Sequence, residues 1–264
     1  METIFIKFSE ILKSKTSLLV ILFGLMSSLI VAQTPDSLFV KANNFYQKEA
    51  YQEAVDTYKK IESQNTISTD LYYNMANTYY KLNEVAPAIY YYEKALQLDP
   101  NNQDAHYNLA FANRMTIDKI DVLPKSFFQK IEDNYIRVFK YDTWALIAVV
   151  SSILFVLLFL SYYFSYTSTR KRLYFISAII SLFVLVMSFA FAYSGHTYAK
   201  NNNPAIIFAL RAAVKDAPTP NSNTVFELHE GTKVLILEKV DTWQKIKLAD
   251  GKIGWIDQND LKAL

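Results

Sequence analysis

The sequence predicts a multidomain membrane protein in three unlike parts: an all-α helical-repeat domain, a two-helix transmembrane hairpin and a small all-β barrel. Three patterns carry this expectation. Residues 35–116 match themselves at an offset of 34. Two long runs, near 143–169 and 173–199, contain no Asp, Glu, Lys or Arg. The last sixty or so residues change to short alternating segments punctuated by Gly, Pro and Asn. Mean hydropathy is close to zero (+0.06) only because it averages sequence suited to two different solvents.

The first segment, 1–32, carries Lys7, Lys13 and Lys15, then an apolar stretch from Leu18 to Val31, then Ala32. That order reads as a secretory signal peptide cut after Ala32. Glu2, Glu10 and the bulk of Ile30 depart from the pattern, so an uncleaved signal anchor stands beside it.

Within the repeat domain, 33–116, Ala42 falls on Ala76 and Ala110, Phe45 on Tyr79, Ala54 on Ala88, and Tyr58 on Tyr92. Asp36, Asp70 and Asp104 recur near helix starts, where negative charge suits the helix dipole. Small residues at 76 and 88 let two antiparallel helices approach, and the tyrosines fill the space around them. One such pair leaves an apolar face open, which a neighbouring pair must cover. Repeats are expected at about 35–68 and 69–102, with a partial one at 103–116. Tyr72, Met75, Ala76, Tyr79, Ala88, Tyr92, Ala95 and Pro100 resemble the tetratricopeptide repeat. That resemblance implies a groove for an extended peptide along the first helices, lined by Phe39, Asn43, Tyr46, Tyr73, Asn77, Tyr80 and Tyr107. For each residue taken singly, packing between helices is the competing reading.

Residues 117–142 form a linker. Asp121 to Pro124 reads as a turn, and Ser126 as the cap of an amphipathic helix bearing Phe127, Ile131, Tyr135 and Val138 or Phe139. Two roles stand for it: closing the open end of the repeat stack, or lying on a membrane surface.

Transmembrane helices are expected at 143–164 and 173–194, each long enough for roughly 30 Å of hydrocarbon, with Trp144, Tyr162, Tyr163, Tyr174 and Tyr193 at their ends. The loop between them, 165–172, ends in Arg170, Lys171 and Arg172 and is expected in the cytoplasm. Both flanking domains then face outward, in the periplasm of a two-membrane bacterium, and the hairpin sits in the cytoplasmic (inner) membrane. The spans hold serines but no ionisable core residue, so they read as an anchor rather than a conduit.

Residues 204–264 contain strand candidates at 233–239, 243–248 and 252–257, with Asp250 and Gly251 as a hairpin signal. Leu228 to Val234, Trp243 to Ile246 and Asp250 to Ile256 resemble the bacterial SH3-like family. The resemblance implies binding of wall peptides or protein segments, with Phe226, Trp243 and Trp255 as groove candidates. Trp255 reads first as core; Trp243 stays open between core and groove.

Chemistry is not expected. The chain has no Cys, and its three histidines fall in different segments. No HExxH, phosphate-binding Gly-rich loop or nucleophile elbow is present. No catalytic residue, metal ligand or cofactor site is assigned, and the chain reads as no enzyme. Residues 33–143 carry 12 basic and 15 acidic side chains, and residues 195–264 carry 9 and 8. Neither has the basic stripe that nucleic acid requires.

The order of signal, repeats, two spans and SH3-like domain resembles the BatE-type aerotolerance family of Bacteroides-type bacteria. The resemblance implies a scaffold in the response to oxygen or oxidative stress, with von Willebrand A-domain membrane proteins and a MoxR-type ATPase as neighbours. A peptidoglycan-binding accessory protein that recruits cell-wall enzymes is the alternative.

Overall fold

A computed structural model describes residues 34–264; the expected signal segment lies outside the described residues. The repeat region contains α1 (Pro35–Gln47), α2 (Tyr51–Glu62), α3 (Thr69–Lys81), α4 (Val85–Leu98) and α5 (Gln103–Ala112). Its local punctuation keeps the 34-residue period. Thr34, Ser68 and Asn102 cap α1, α3 and α5, each accepting the backbone N–H three residues on. Glu49 and Asn83 adopt left-handed φ of 61° and 63° and turn the chain between the two helices of a repeat. Ala42, Ala54, Ala76, Ala88 and Ala95 are fully buried, which is the close approach that small residues permit.

The linker does not close the repeat stack. Its first half runs extended to the strand domain, where Ile120 joins the β core and the Leu123 N–H donates to the Ala249 carbonyl at 3.1 Å. Ser126 then caps α6 (Phe127–Ile131) through a reciprocal capping box with Gln129. A π turn (Glu132–Ile136) follows, and neither piece contains a buried residue.

Helices α7 (Tyr141–Phe164) and α8 (Ser168–Asn201) form an antiparallel pair, both long and apolar enough to cross a membrane. Of their most apolar windows, 0 % and 17 % respectively are buried, so their apolar side chains face outward and are not a protein core. Ser151, Ala178, Ser181 and Ser188 are buried between the helices, and the Ser181 hydroxyl donates to the Ser151 carbonyl at 2.9 Å. The expected loop 165–172 shrinks. Helix α8 starts at Ser168, so the Arg-Lys-Arg triplet sits within its first five residues. At its other end α8 continues past the apolar run to Asn201.

The C-terminal unit contains β1 (Asn203–Ile207), β2 (Arg211–Lys215), β3 (Thr224–His229), β4 (Lys233–Val240), β5 (Trp243–Lys247), β6 (Ile253–Asp257) and β7 (Leu261–Ala263). The antiparallel order is β3-β2-β6-β5-β4-β1-β7. The expected closed barrel is not formed. Strand β3 pairs only with β2, and the three-residue β7 pairs only with β1, so the two edges are not zipped. The β2–β6 seam is thin as well, with Lys215 opposite Trp255 beside a bulge at Val214.

The two domains exchange apolar side chains at one end of the hairpin. Ile206 of β1 belongs to the helical core and Phe208 packs against it, while Ile120 of the linker packs into the β core. The repeat and strand domains are therefore docked to one another, and both lie at the same end of α7 and α8.

Candidate functional site

The first helices of the repeats are joined by a ladder of amides and phenols with the same 34-residue period. The Tyr58 hydroxyl donates to Asn43 Oδ1 at 2.5 Å, and the Tyr92 hydroxyl donates to Asn77 Oδ1 at 2.5 Å. Asn74 Nδ2 donates to Asn43 Oδ1 at 3.4 Å, and Asn108 Nδ2 donates to Asn77 Oδ1 at 3.0 Å. Asn108 Nδ2 also reaches the Tyr73 hydroxyl at 3.0 Å. A buried phenol needs such a partner, and burial pushes the Tyr58 and Tyr92 phenols well above their usual range. The asparagine oxygens are thus occupied. The Asn43 and Asn77 side-chain N–H groups have no partner among the described residues and are not sealed from solvent. They can donate to the carbonyls of an extended chain.

The aromatic candidates divide between packing and exposure. Phe39 sits 6.0 Å from the Tyr58 ring, Tyr46 5.4 Å from Tyr51, and Tyr73 6.1 Å from Tyr92. All three, with Tyr80, are half-buried at the rim of the helical core. Tyr107 is exposed and meets Phe111 edge-on at 4.8 Å. The structure therefore places Asn43 in one rung and Asn77 with Tyr73 in the next, lines the rim with Phe39, Tyr46 and Tyr80, and leaves Tyr107 standing free of the core.

The three strand-domain candidates do not form one groove. In the β5–β6 register Trp243 lies opposite Asp257 and Lys245 opposite Trp255, while Ile246 lies opposite Gly254. Ile246 is fully buried, so Trp243 and Trp255 share the other face. There Trp255 is half-buried under the Lys245 ammonium, 5.5 Å from the ring centre, and Lys215 is its cross-strand neighbour. The reading of Trp255 as core is corrected, because the strand alternation turns it outward. Phe226 lies opposite the buried Val214 and packs against the β core, on the inner face. What remains is an aromatic and basic outer face of Trp243, Trp255, Lys215, Lys245 and Lys247.

One cluster was invisible in the sequence. The Asp118 carboxylate accepts from the His229 backbone N–H (2.7 Å), His229 Nδ1 (2.8 Å) and the Thr232 hydroxyl (2.6 Å). Burial on its own raises its pKa, but these hydrogen bonds outweigh it and hold the carboxyl below the usual range. Close by, Lys233 pairs with Glu93 at 2.7 Å. Lys262 lies 4.4 Å from the Tyr90 ring centre, where burial lowers its pKa. Pairs separated by more than a hundred residues carry no periodic signal. A cleft of about 990 Å³ opens beside this junction between the linker, the end of α8 and β4–β5. Lys119, Lys125, Lys233 and Lys247 line it together with Asp118 and Asp121. Among the described residues, no three His, Cys, Asp or Glu converge as metal ligands.

A repeat groove with free amide donors, docked to a strand domain with an aromatic outer face, places the chain in the class of protein-binding adaptors. Family comparisons agree with both halves. Residues 69–102 and 91–116 match the tetratricopeptide repeat, and residues 211–262 match the bacterial SH3 domain. The first helix pair and the hairpin lie outside these matches. No curated protein matches the chain. Among solved structures it is similar to YrrB, described as a TPR protein with an unusual peptide-binding site. The identity is 15 % over 72 % of this chain and 89 % of that one, with a TM-score of 0.31, too low an overlap to carry an argument.

Proposed function

We infer that the chain is a membrane-anchored, non-enzymatic adaptor, held in the inner membrane by α7 and α8, with both domains in the periplasm. The observation that carries this is the docking of the repeat and strand domains at one end of the hairpin. A hairpin that crosses twice returns its flanks to the same side, and the Arg-Lys-Arg triplet at the opposite end suits the cytoplasm. The repeat groove holds an extended segment of a partner through Asn43 and Asn77, and Tyr107 offers an exposed ring. The order of domains supports a BatE-type role in oxygen tolerance, with von Willebrand A-domain membrane proteins and a MoxR-type ATPase as the partner classes to look for. The test is a photo-crosslinking side chain at Tyr80 in living cells, read by mass spectrometry. Crosslinks to one membrane partner, lost on Asn43→Ala with Asn77→Ala, support the adaptor. Crosslinking unchanged by that pair of substitutions refutes the groove.

A second reading rests on the outer face of the strand domain. Trp243 and Trp255 beside three lysines suit a wall peptide with carboxylates. Retention of the full chain on purified peptidoglycan, abolished by Trp243→Ala, favours a wall-binding accessory that recruits cell-wall enzymes; retention indifferent to that change removes it.

A further inference from the structure

We propose that residues 126–139 form a foot that lies in the lipid headgroup layer, beneath the two domains and beside the point where α7 enters the membrane. The proposal rests on the reading of α7 and α8 as membrane spans.

The segment is folded and yet fully buries none of its apolar residues. Ser126 and Gln129 cap it reciprocally, Arg137 bridges to Glu132 at 2.7 Å and to Asp133, and Lys125 bridges to Asp133 at 2.6 Å. Phe127 and Phe128 are nonetheless 71 % and 76 % exposed, and Tyr135, Val138 and Phe139 are exposed with them. At the α-helical advance Phe127, Phe128 and Ile131 of α6 fall within an arc of roughly 100°, while Tyr135 lies in the π turn and Val138 and Phe139 follow it. Lys130 and Arg137 lie along the same segment and Lys140 just past it, and its Glu132 and Asp133 are held by Arg137 and Lys125. Exposed rings with cations beside them suit a segment in the plane of a lipid interface, with rings among the upper acyl carbons and cations at phosphate level.

The foot is tied to the level of that interface. Trp144 Nε1 in the first turn of α7 donates to the Ile136 carbonyl at 2.8 Å. Phe139 meets the Trp144 ring edge-on at 5.6 Å, and Trp144 meets Phe191 of α8 at 5.0 Å. The Arg137 guanidinium lies 3.7 Å from the ring centre of Tyr198. Trp and Tyr collect at the boundary between hydrocarbon and water. The segment is therefore fixed against the aromatic ends of both α7 and α8, and its place at that level favours lipid over a second protein as the occupant.

The chain has no cysteine, so single-cysteine labelling needs no background substitution. Phe128→Cys, Val138→Cys, Asn134→Cys and Leu154→Cys would each carry a nitroxide in the full chain, reconstituted in vesicles of phosphatidylcholine and phosphatidylglycerol. Collisional relaxation by oxygen and by a water-soluble nickel chelate reports depth. The expected result is an oxygen-to-nickel ratio several-fold higher at 128 and 138 than at 134, with 154 higher still. Nickel accessibility at 128 and 138 equal to that at 134, with 154 still deep, overturns the foot and leaves the spans intact. Shielding of 128 and 138 from both reagents overturns it in favour of a protein contact. Nickel accessibility at 154 overturns the spans, and the foot with them.

Discussion

Asp118→Ala should loosen the joint between the two domains without unfolding either. Three donors converge on this one carboxylate, whose side chain is 14 % exposed. A hydrogen bond to a charged group contributes about 1.5–3 kcal/mol, and a donor left without an acceptor costs about 1–3 kcal/mol. Water reaches part of this site and will satisfy some of the orphaned donors. The expected loss is therefore nearer one strong interaction than three, about 2–3 kcal/mol in the local opening of the β3–β4 turn. That is roughly 30- to 150-fold in the opening equilibrium. Ile206, Phe208 and the Lys233–Glu93 pair still hold the interface, so the change stays local. Amide hydrogen exchange of the full chain in lipid discs at pH 7 reads it directly, because the His229 N–H is itself one of the three donors. Peptides spanning residues 227–234 should exchange faster by that factor, while peptides from α3 keep the wild-type rate. Asp118→Asn, which keeps an acceptor and loses the charge, should fall between. Exchange at 227–234 unchanged by Asp118→Ala would refute the reasoning, as would an equal acceleration in α3.

The same carboxylate sets a pH dependence. Its pKa is lower folded than unfolded, so the stabilisation is full above the ordinary carboxylate value and is lost as pH falls through the lowered one; the protection of 227–234 relative to the intrinsic exchange rate at each pH should fall on acidification toward pH 3, and less so in Asp118→Asn. Tyr58→Phe and Tyr92→Phe each delete a donor to a ladder asparagine and should cost about 1 kcal/mol of repeat-domain stability by denaturant titration. Gly231→Ala should destabilise where such a change usually helps. Gly231 has φ +84°, and a Cβ there would meet Thr116, Val85 and Ile89 at 2.9–3.0 Å, so a lowered thermal midpoint is expected. In the strand domain Ile246→Ala should cost about 2–5 kcal/mol. Trp243→Ala should cost less than half as much, and equal losses would place Trp243 in the core.

The readable parts of this chain are those with a period. The 34-residue offset reports which residues face the neighbouring helix, and the same offset reappears in caps, turns and the asparagine ladder. Long uncharged runs announced α7 and α8, though not that α8 begins at Ser168 and runs on to Asn201. A helix end depends on backbone capping, to which hydropathy is blind. The strands were legible from alternation, yet alternation does not say which alternate face turns inward. Trp255 was misread for that reason, since the bulky residue faces outward and Gly254 takes the inner position against Val214. Phe226, grouped with the tryptophans by residue type, lies on the opposite side of the sheet.

What the amino-acid order determined by itself was each unit: helix pairs that need neighbours, two apolar rods, and short strands bounded by turns. All of these are local consequences of side-chain spacing along a backbone. Only the tertiary structure decided how the units meet. It placed Asp118 under the turn at 229–232, sank Ile206 into the helical core, left the sheet open between β3 and β7, and kept the aromatic side of residues 126–139 uncovered. Such contacts form between finished surfaces, so their partners can stand a hundred residues apart and leave no mark on the sequence near either one.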